Sequence, residues 1–173
     1  NKKLDLRLEN ISTDISKARH WYSKTIEIGN YDGIYEYAET FSLEGNFEAA
    51  KNIILQGIEF AEANTPPDVV MKTHLYSFLS GYFEIQGYDE EALRIMEMAV
   101  QSVESSNVFE TSHLAMTYRD YGASLNKNGF HDEALAYYNK SEKLLRATDE
   151  VELLSYTLNG KAVVLENLGR YEE

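Results

Sequence analysis

The sequence predicts an all-helical protein in which helical hairpins repeat along the chain. A glycine recurs at nearly constant spacing, at positions 45, 87, 129 and 169, which are 42, 42 and 40 residues apart. Each glycine has a large apolar residue four positions before it and an aromatic residue one or two positions after it. Similarity at a fixed period marks a repeat architecture, so the chain is expected to form an all-α solenoid of stacked hairpins.

Each repeated segment has the composition of a tight turn between two helices. Glycine ends a helix readily because it adopts positive φ without a side-chain clash. The Asn or acidic residues that follow suit the first turn of the next helix, where free N–H groups and the helix dipole favour oxygen and negative charge. An alanine five positions after the glycine lets the two helices approach closely, at Ala50, Ala92 and Ala134. The unit is therefore a helix, a turn and a second, antiparallel helix.

Apolar residues at steps of three and four predict helices on both sides of every turn. The predicted ranges, in chain order, are 14–29, 31–44, 47–64, 68–86, 89–106, 108–128, 131–147 and 150–168. The break at Pro66 and Pro67 closes one helix, and Asp68 caps the next, because proline suits a first turn but not a helix interior. The predicted organisation is a single domain over 1–173, with a partial N-terminal helix at 1–30, complete pairs at 31–66, 68–107 and 108–148, and an incomplete repeat at 149–173.

Composition sets further bounds on the protein. The chain has 173 residues, of which 43% are hydrophobic and 26% charged, which indicates one globular domain. No apolar run approaches the ~20 residues that a membrane-spanning helix needs. Cysteine is absent, which excludes disulfides, thiolate metal sites and cysteine nucleophiles. The lack of cysteine and of a signal or transmembrane segment favours a cytoplasmic location.

The charge is strongly acidic and unevenly distributed. Sixteen Lys and Arg stand against 29 Asp and Glu, a net charge of −13. Between Glu27 and Tyr118 there are 16 acidic residues but only three basic ones. Such a field repels phosphate backbones and anionic lipids, so neither nucleic acid nor a membrane surface is expected as a partner. A basic or neutral partner is favoured, and the alternative is that the acidic surface only maintains solubility.

The repeat pattern resembles that of the tetratricopeptide repeat family over residues 31 to 173. The third repeat has the family's residue types at Tyr118, Tyr121, Gly122, Leu125, Gly129, Ala134, Tyr138 and Ser141. The spacing near 42 exceeds the usual 34 and resembles the long-repeat subclass of kinesin light chains and bacterial signalling regulators. The segment around Ala18, Trp21 and Gly29 resembles the second helix of a Sel1-like repeat. The resemblance implies a right-handed superhelix whose concave surface is lined by the first helix of each pair.

On that implied geometry, first-helix side chains outside the core stripe project into the concave groove. The predicted ligand-binding residues are Asp32, Tyr35, Glu39, His74, Ser77, Glu84, Arg119, Asn126, Tyr156 and Asn159. Arg119 and Lys127 are the only basic candidates on this surface, which disfavours an acidic tail as the ligand. A peptide carrying Lys or Arg, or an amphipathic helix, is favoured. For each residue the alternative is a solvated face without a ligand.

No catalytic motif is found in the sequence. Glycine-rich phosphate loops, the Gly-x-Ser-x-Gly nucleophile motif and the His-Glu-x-x-His zinc motif are all absent. The four histidines are distant in sequence and lie on different predicted helices, so no metal site and no cofactor are predicted, and the imidazoles are expected at the surface or half-buried.

The leading hypothesis is a non-catalytic protein-interaction scaffold. The alternative is a sensory or regulatory module of a larger signalling or transcription regulator, which binds a peptide or a small signal. An enzyme is a third hypothesis and requires a pocket with convergent ionisable groups. Self-association through the terminal helices is a further alternative. The first residue is Asn and the fourth repeat stops early, so a longer parent protein is expected, with Leu158, Ala162 and Leu165 facing an absent helix.

Overall fold

The computed structural model describes residues 2–27, 33–64, 67–106 and 110–172, and within these ranges every regular element is an α-helix. The helices are α1 (Lys2–Glu27), α2 (Ile34–Ser42), α3 (Phe47–Ala63), α4 (Val69–Ile85), α5 (Asp89–Ser105), α6 (Thr111–Lys127), α7 (His131–Leu145) and α8 (Val151–Asn167). The predicted all-α class and all eight helices are confirmed. The main difference is α1, which begins twelve residues before its predicted start. None of the described helices is long and apolar enough to cross a bilayer.

The chain divides into two compact units, Asn1–Phe60 and Ala61–Glu173. In the first unit, α1 packs against α2. In the second unit each helix from α4 to α8 packs against the next, and α4 also contacts α6 while α6 contacts α8. The helices α4, α6 and α8 therefore lie side by side, and we call them the first-helix row. The single domain predicted for 1–173 stays a prediction.

The glycine turns have the predicted conformation. Gly45, Gly87, Gly129 and Gly169 have φ values of 76°, 80°, 84° and 69°, in the left-handed region that glycine tolerates best. At the third turn, the N–H of the residue after the glycine donates 3.0 Å back to the carbonyl of Leu125. The alanines five positions after the first three glycines have no exposed surface. Close helix approach at each turn thus follows from these two small residues.

Two helix starts are capped by side chains. Asp68 Oδ1 accepts from Met71 N at 2.9 Å, which confirms that Asp68 caps α4. Asn46 Oδ1 accepts from Ala49 N at 3.2 Å and does the same for α3. The helices α5 and α7 have no such cap, but their first turns are acidic. Those carboxylates stabilise the helix start through its dipole.

The core of the second unit is apolar, with a few buried hydroxyls that join neighbouring helices. One cluster comprises Leu125, Ala134, Leu135, Tyr138, Val164 and Leu165. Leu165 is 8% exposed, and it also lines an open pocket with Leu158 and Ala162, so the expectation that these residues face a further helix stays a prediction. Leu165 lies beside Val164 on the face that α8 turns toward α6 and α7, whereas Leu158 and Ala162 are exposed.

Candidate functional site

The candidate site lies on the first-helix row, where a tyrosine from α7 reaches between α6 and α8. Tyr138 is 4% exposed and belongs to the core cluster. A Cβ placed on Gly122 of α6 would lie 3.1 Å from the ring, and one placed on Gly160 of α8 would lie 2.5 Å from the hydroxyl oxygen. The two glycines therefore form a slot for the ring. Through this slot the Tyr138 side chain reaches a cleft on the row.

The cleft has a volume of about 370 Å³ and opens to solvent. It is lined by Arg119, Asp120 and Ala123 of α6, Tyr138 of α7 and Tyr156 of α8. Tyr156 is 55% exposed and donates a hydrogen bond of 3.2 Å to Glu152 Oε1. The cleft thus offers an aromatic wall beside a buried phenol and an ion pair.

Only one oxygen of the Asp120 carboxylate takes part in the ion pair with Arg119. Arg119 Nε donates to Asp120 Oδ1 at 2.8 Å, and Arg119 Nη2 lies 2.7 Å from the same oxygen. No described residue hydrogen-bonds to the other oxygen, Oδ2. Burial raises the pKa of Asp120 and Glu84 adds to the rise, whereas Arg119 and then His74 oppose it. The cleft therefore presents one free carboxylate oxygen as an acceptor.

The phenol on the floor of the cleft is a hydrogen-bond donor. Burial, followed by the negative charge of Asp120, raises the pKa of Tyr138 above its ordinary value, whereas Arg119 lowers it. The side chain is therefore neutral and protonated at neutral pH. Its hydroxyl has no hydrogen-bond partner among the residues that the structure describes. Donor and acceptor groups that are both unpaired thus line one small cleft.

The structure gathers four of the predicted groove residues around this site. Arg119 and Tyr156 line the cleft itself. His74 and Glu84 of α4 lie near enough to change the pKa of Asp120. His74 is exposed and Glu84 is half-buried.

Other predicted residues of the row are engaged elsewhere. Asn126 Oδ1 on α6 accepts a hydrogen bond from Asn167 Nδ2 on α8 at 3.0 Å. The same oxygen lies 2.8 Å from Nδ1 of His131, the first residue of α7, so Asn126 links α6 to both other helices. Ser77 Oγ donates to the carbonyl of Thr73 in its own helix at 3.2 Å. Asn159 is exposed on α8. Asn126 and Ser77 thus have structural hydrogen bonds instead of open positions for a ligand.

The remaining predicted groove residues lie in the first unit or beyond the description. Tyr35 is half-buried and Glu39 is exposed, both on α2. Asp32 lies outside the described residues. The groove predicted from Asp32 to Asn159 stays a prediction, and the cleft described above lies on its later part, at α6 and α8.

Sequence reasoning missed Asp120 and assigned Tyr138 to the core stripe alone. The signal that could have revealed them is Gly160, a glycine in a helix interior with no turn to explain it. It lies at a position where an alanine would be expected for helix stability. A large side chain passing close to the backbone of α8 accounts for it.

The histidines also depart from expectation. His74 and His113 lie on neighbouring helices with ring centroids 4.6 Å apart, although they are 39 positions apart in sequence. His113 is buried at 7% exposure, not at the surface or half-buried. Across the described ranges, no three His, Asp or Glu side chains come together as a metal site would require.

Comparison with known proteins gives a likeness of fold. No protein-family model matches the sequence, and no curated relative matches it. The chain is similar to the crystal structure of BtubC (BKLC) from P. vanneervenii, with a TM-score of 0.65 and 16% sequence identity. The match covers 98% of this chain and 85% of that one. At this identity the likeness concerns the all-helical, repeat-like fold alone.

Proposed function

We propose that this chain is a non-catalytic protein-interaction scaffold that binds a peptide segment along the first-helix row. The observation that carries the proposal is the cleft between α6 and α8, where the Tyr138 hydroxyl and Asp120 Oδ2 have no hydrogen-bond partner among the described residues. The Asp120 side chain is 32% exposed and the Tyr138 side chain reaches the same open cleft, so both groups are accessible to a ligand. A peptide supplies both partners from its amide groups.

The preference for a basic or amphipathic segment rests on the field of the whole chain. Locally the charges are balanced, since Arg119 pairs with Asp120, and Lys127 lies 3.4 Å from Glu84 and 2.7 Å from Asp89. The net charge of −13 acts over a longer range. This charge increases the association rate of a positively charged segment and disfavours acidic ones. Its effect on the association rate and on specificity is larger than its effect on the affinity of the bound complex.

We also propose that the repeats belong to the tetratricopeptide class, in its long-period form. The proposal is supported by the left-handed glycine at four turns and by the fully buried alanine that follows the first three of them. The small residues Ser80 and Gly122 are buried where the family pattern asks for a small side chain. In this class the first helices form the binding surface, which agrees with the position of the cleft.

Selection of peptides followed by mapping on the row tests the scaffold proposal. Random peptides displayed on phage are selected on the immobilised chain, and those recovered are measured by calorimetry. Tyr156→Ala, in the wall of the cleft, is expected to weaken binding about tenfold, as central aromatic anchors do. The matched control is Tyr171→Ala, since Tyr171 is 79% exposed and does not line the cleft.

The recovered peptides should be enriched in Lys or Arg, and their binding should weaken as salt is raised. Peptides that bind equally well to the wild type and to Tyr156→Ala, and that shift no amide of α4, α6 or α8 in NMR spectra, would contradict the proposal. Failure to recover any peptide that binds would also count against it.

A further inference from the structure

Comparison among the repeats shows that the Tyr138 hydroxyl is not needed to fill the core. The residue nine positions after the turn glycine is Ile54 in the first repeat, Met96 in the second and Tyr138 in the third. All three are buried, with exposures of 0%, 2% and 4%. The first two fill their places with apolar atoms only. The third adds a hydroxyl that projects beyond the core.

Glycines on α6 and α8 leave space for the Tyr138 side chain, at a cost in helix stability. Gly122 and Gly160 lie inside helices without the positive φ that would require glycine. A glycine in a helix interior is less favourable than alanine by roughly 1 kcal/mol. The space is used by the Tyr138 ring, whose outer atoms lie closest to Gly160. The Tyr138 phenol thus extends from the core, between α6 and α8, to the cleft.

The groups that meet in the cleft define the chemistry of its ligand. The Tyr138 hydroxyl donates a hydrogen bond, and Asp120 Oδ2 accepts one. The charges of Arg119 and Asp120 offset each other at 2.7 Å. A matching group therefore has one N–H donor and one carbonyl acceptor and carries no net charge.

We propose that this cleft binds the side-chain carboxamide of a glutamine or asparagine in the docked segment, an inference that rests on the proposed peptide-binding function. The amide N–H donates to Asp120 Oδ2, and the amide carbonyl accepts from the Tyr138 hydroxyl. The methylene groups of the ligand lie against the exposed ring of Tyr156. A lysine would place its ammonium beside Arg119, and a glutamate would place its carboxylate beside Asp120, so both are disfavoured.

The test uses small probes, so it does not depend on knowing the partner. N-acetyl methylamides of Gln, Glu, Lys and Leu are titrated into the ¹⁵N-labelled full chain, and amide shifts are followed by NMR. The probes share their backbone amides, so differences among them report the side chain. The Gln probe is expected to shift the amides of Ala123 and Gly160 and to bind about fivefold more tightly than the Leu probe.

Two variants make the test specific. Tyr138→Phe keeps the ring in its slot and removes only the hydroxyl, so the fold is retained and Gln binding weakens about fivefold to tenfold. Tyr137→Phe makes the same change one residue away. Tyr137 packs against Tyr118 and Tyr121 and does not line the cleft, so Gln binding should be unchanged.

The proposal is overturned if the Lys or Glu probe binds more tightly than the Gln probe, if all probes bind alike or none binds, or if Tyr138→Phe has no effect. These outcomes are distinct from failure of the scaffold function. Selected peptides that bind the row without a glutamine or asparagine preference would remove the carboxamide subsite and leave the scaffold. If the Gln probe binds at the cleft but no peptide is recovered for the row, the carboxamide site is supported and the scaffold proposal is contradicted.

Discussion

The Nε2 atom of His113 on α6 forms a hydrogen bond with the hydroxyl of Thr73 on the neighbouring helix α4. The ring of His113 also lies edge-on against that of His74, with the ring centroids 4.6 Å apart. The Thr73 hydroxyl lies 2.8 and 3.0 Å from the carbonyls of Val69 and Val70 in its own helix. Together these contacts hold the buried imidazole between α4 and α6.

We expect His113 to make stability fall with acidification. Burial, and then the neighbouring His74, lowers the pKa of His113 from 6.5 to about 4, although Asp68 opposes the shift. Since the folded pKa is depressed, the unfolded chain binds the additional proton first. The free energy of unfolding should therefore be highest above pH 6.5 and decrease by up to about 3 kcal/mol as the pH falls toward 4.

Urea denaturation followed by circular dichroism at a series of pH values measures this effect. The slope that His113 contributes should vanish in His113→Gln, whose amide can still hydrogen-bond to the Thr73 hydroxyl but does not titrate. His20→Gln is the matched control because His20 is exposed, and this variant should keep the wild-type slope. Equal slopes in the wild type and His113→Gln would show that the imidazole does not titrate as argued.

A second prediction concerns the buried hydroxyls that join α6, α7 and α8. Ser141 Oγ donates to the carbonyl of Ala115 at 2.8 Å, so Thr157 Oγ1, 3.2 Å away, donates in turn to Ser141. Neither residue has exposed surface. Ser141→Ala leaves the Thr157 hydroxyl without its acceptor and should cost about 1–2 kcal/mol.

A double-mutant cycle separates this hydrogen bond from other effects. Thr157→Val keeps the shape of the side chain and removes its hydroxyl. Since one interaction is lost in both single variants, the double variant should be less destabilised than the sum by about 1 kcal/mol. Additive losses in thermal unfolding would mean that the two hydroxyls act independently.

A third prediction addresses the turn between α6 and α7. Gly129 has a φ of 84°, which costs an ordinary L-residue about 1–2 kcal/mol. Gly129→Ala should be destabilised by that amount in urea denaturation. Gly129→Asn should lose less, since asparagine tolerates the left-handed region. Equal losses for the two substitutions would point to a steric cause in place of the backbone conformation.

The helices and turns could be predicted because local chemistry determines them. The glycines, the alanines and the spacing of Tyr76, Leu79 and Phe83 act within a few residues, so no knowledge of packing is needed. Because the glycines and the apolar spacing recur in each repeat, they predict the all-helical class independently several times. The earlier start of α1 shows that the prediction is less accurate outside the repeats.

The site could be predicted only in part, because it depends on how neighbouring helices are shifted along each other. Helical spacing predicts Arg119 and Tyr156 on one surface, and both line the cleft. It does not show that Asn126 meets Asn167, or that His74 meets His113, since both contacts depend on the register between helices. Tyr138 was the hardest to predict, because its role depends on a glycine in a different helix.

The pair Gly160 and Gly81 provides the sharpest test of that packing. Both glycines lie inside helices, but a Cβ on Gly81 would meet nothing within 4 Å, whereas one on Gly160 would lie 2.5 Å from the Tyr138 hydroxyl oxygen. Gly81→Ala should therefore stabilise the protein by about 0.5–1 kcal/mol, the ordinary gain in helix propensity. Gly160→Ala should instead destabilise it by about 1–3 kcal/mol through overpacking.

In a Tyr138→Leu background the outer ring atoms are gone, so Gly160→Ala should become neutral or stabilising when measured by urea denaturation. If Gly160→Ala still destabilises the protein in that background, its Cβ clashes with another group, and Gly160 is not what makes room for the Tyr138 ring.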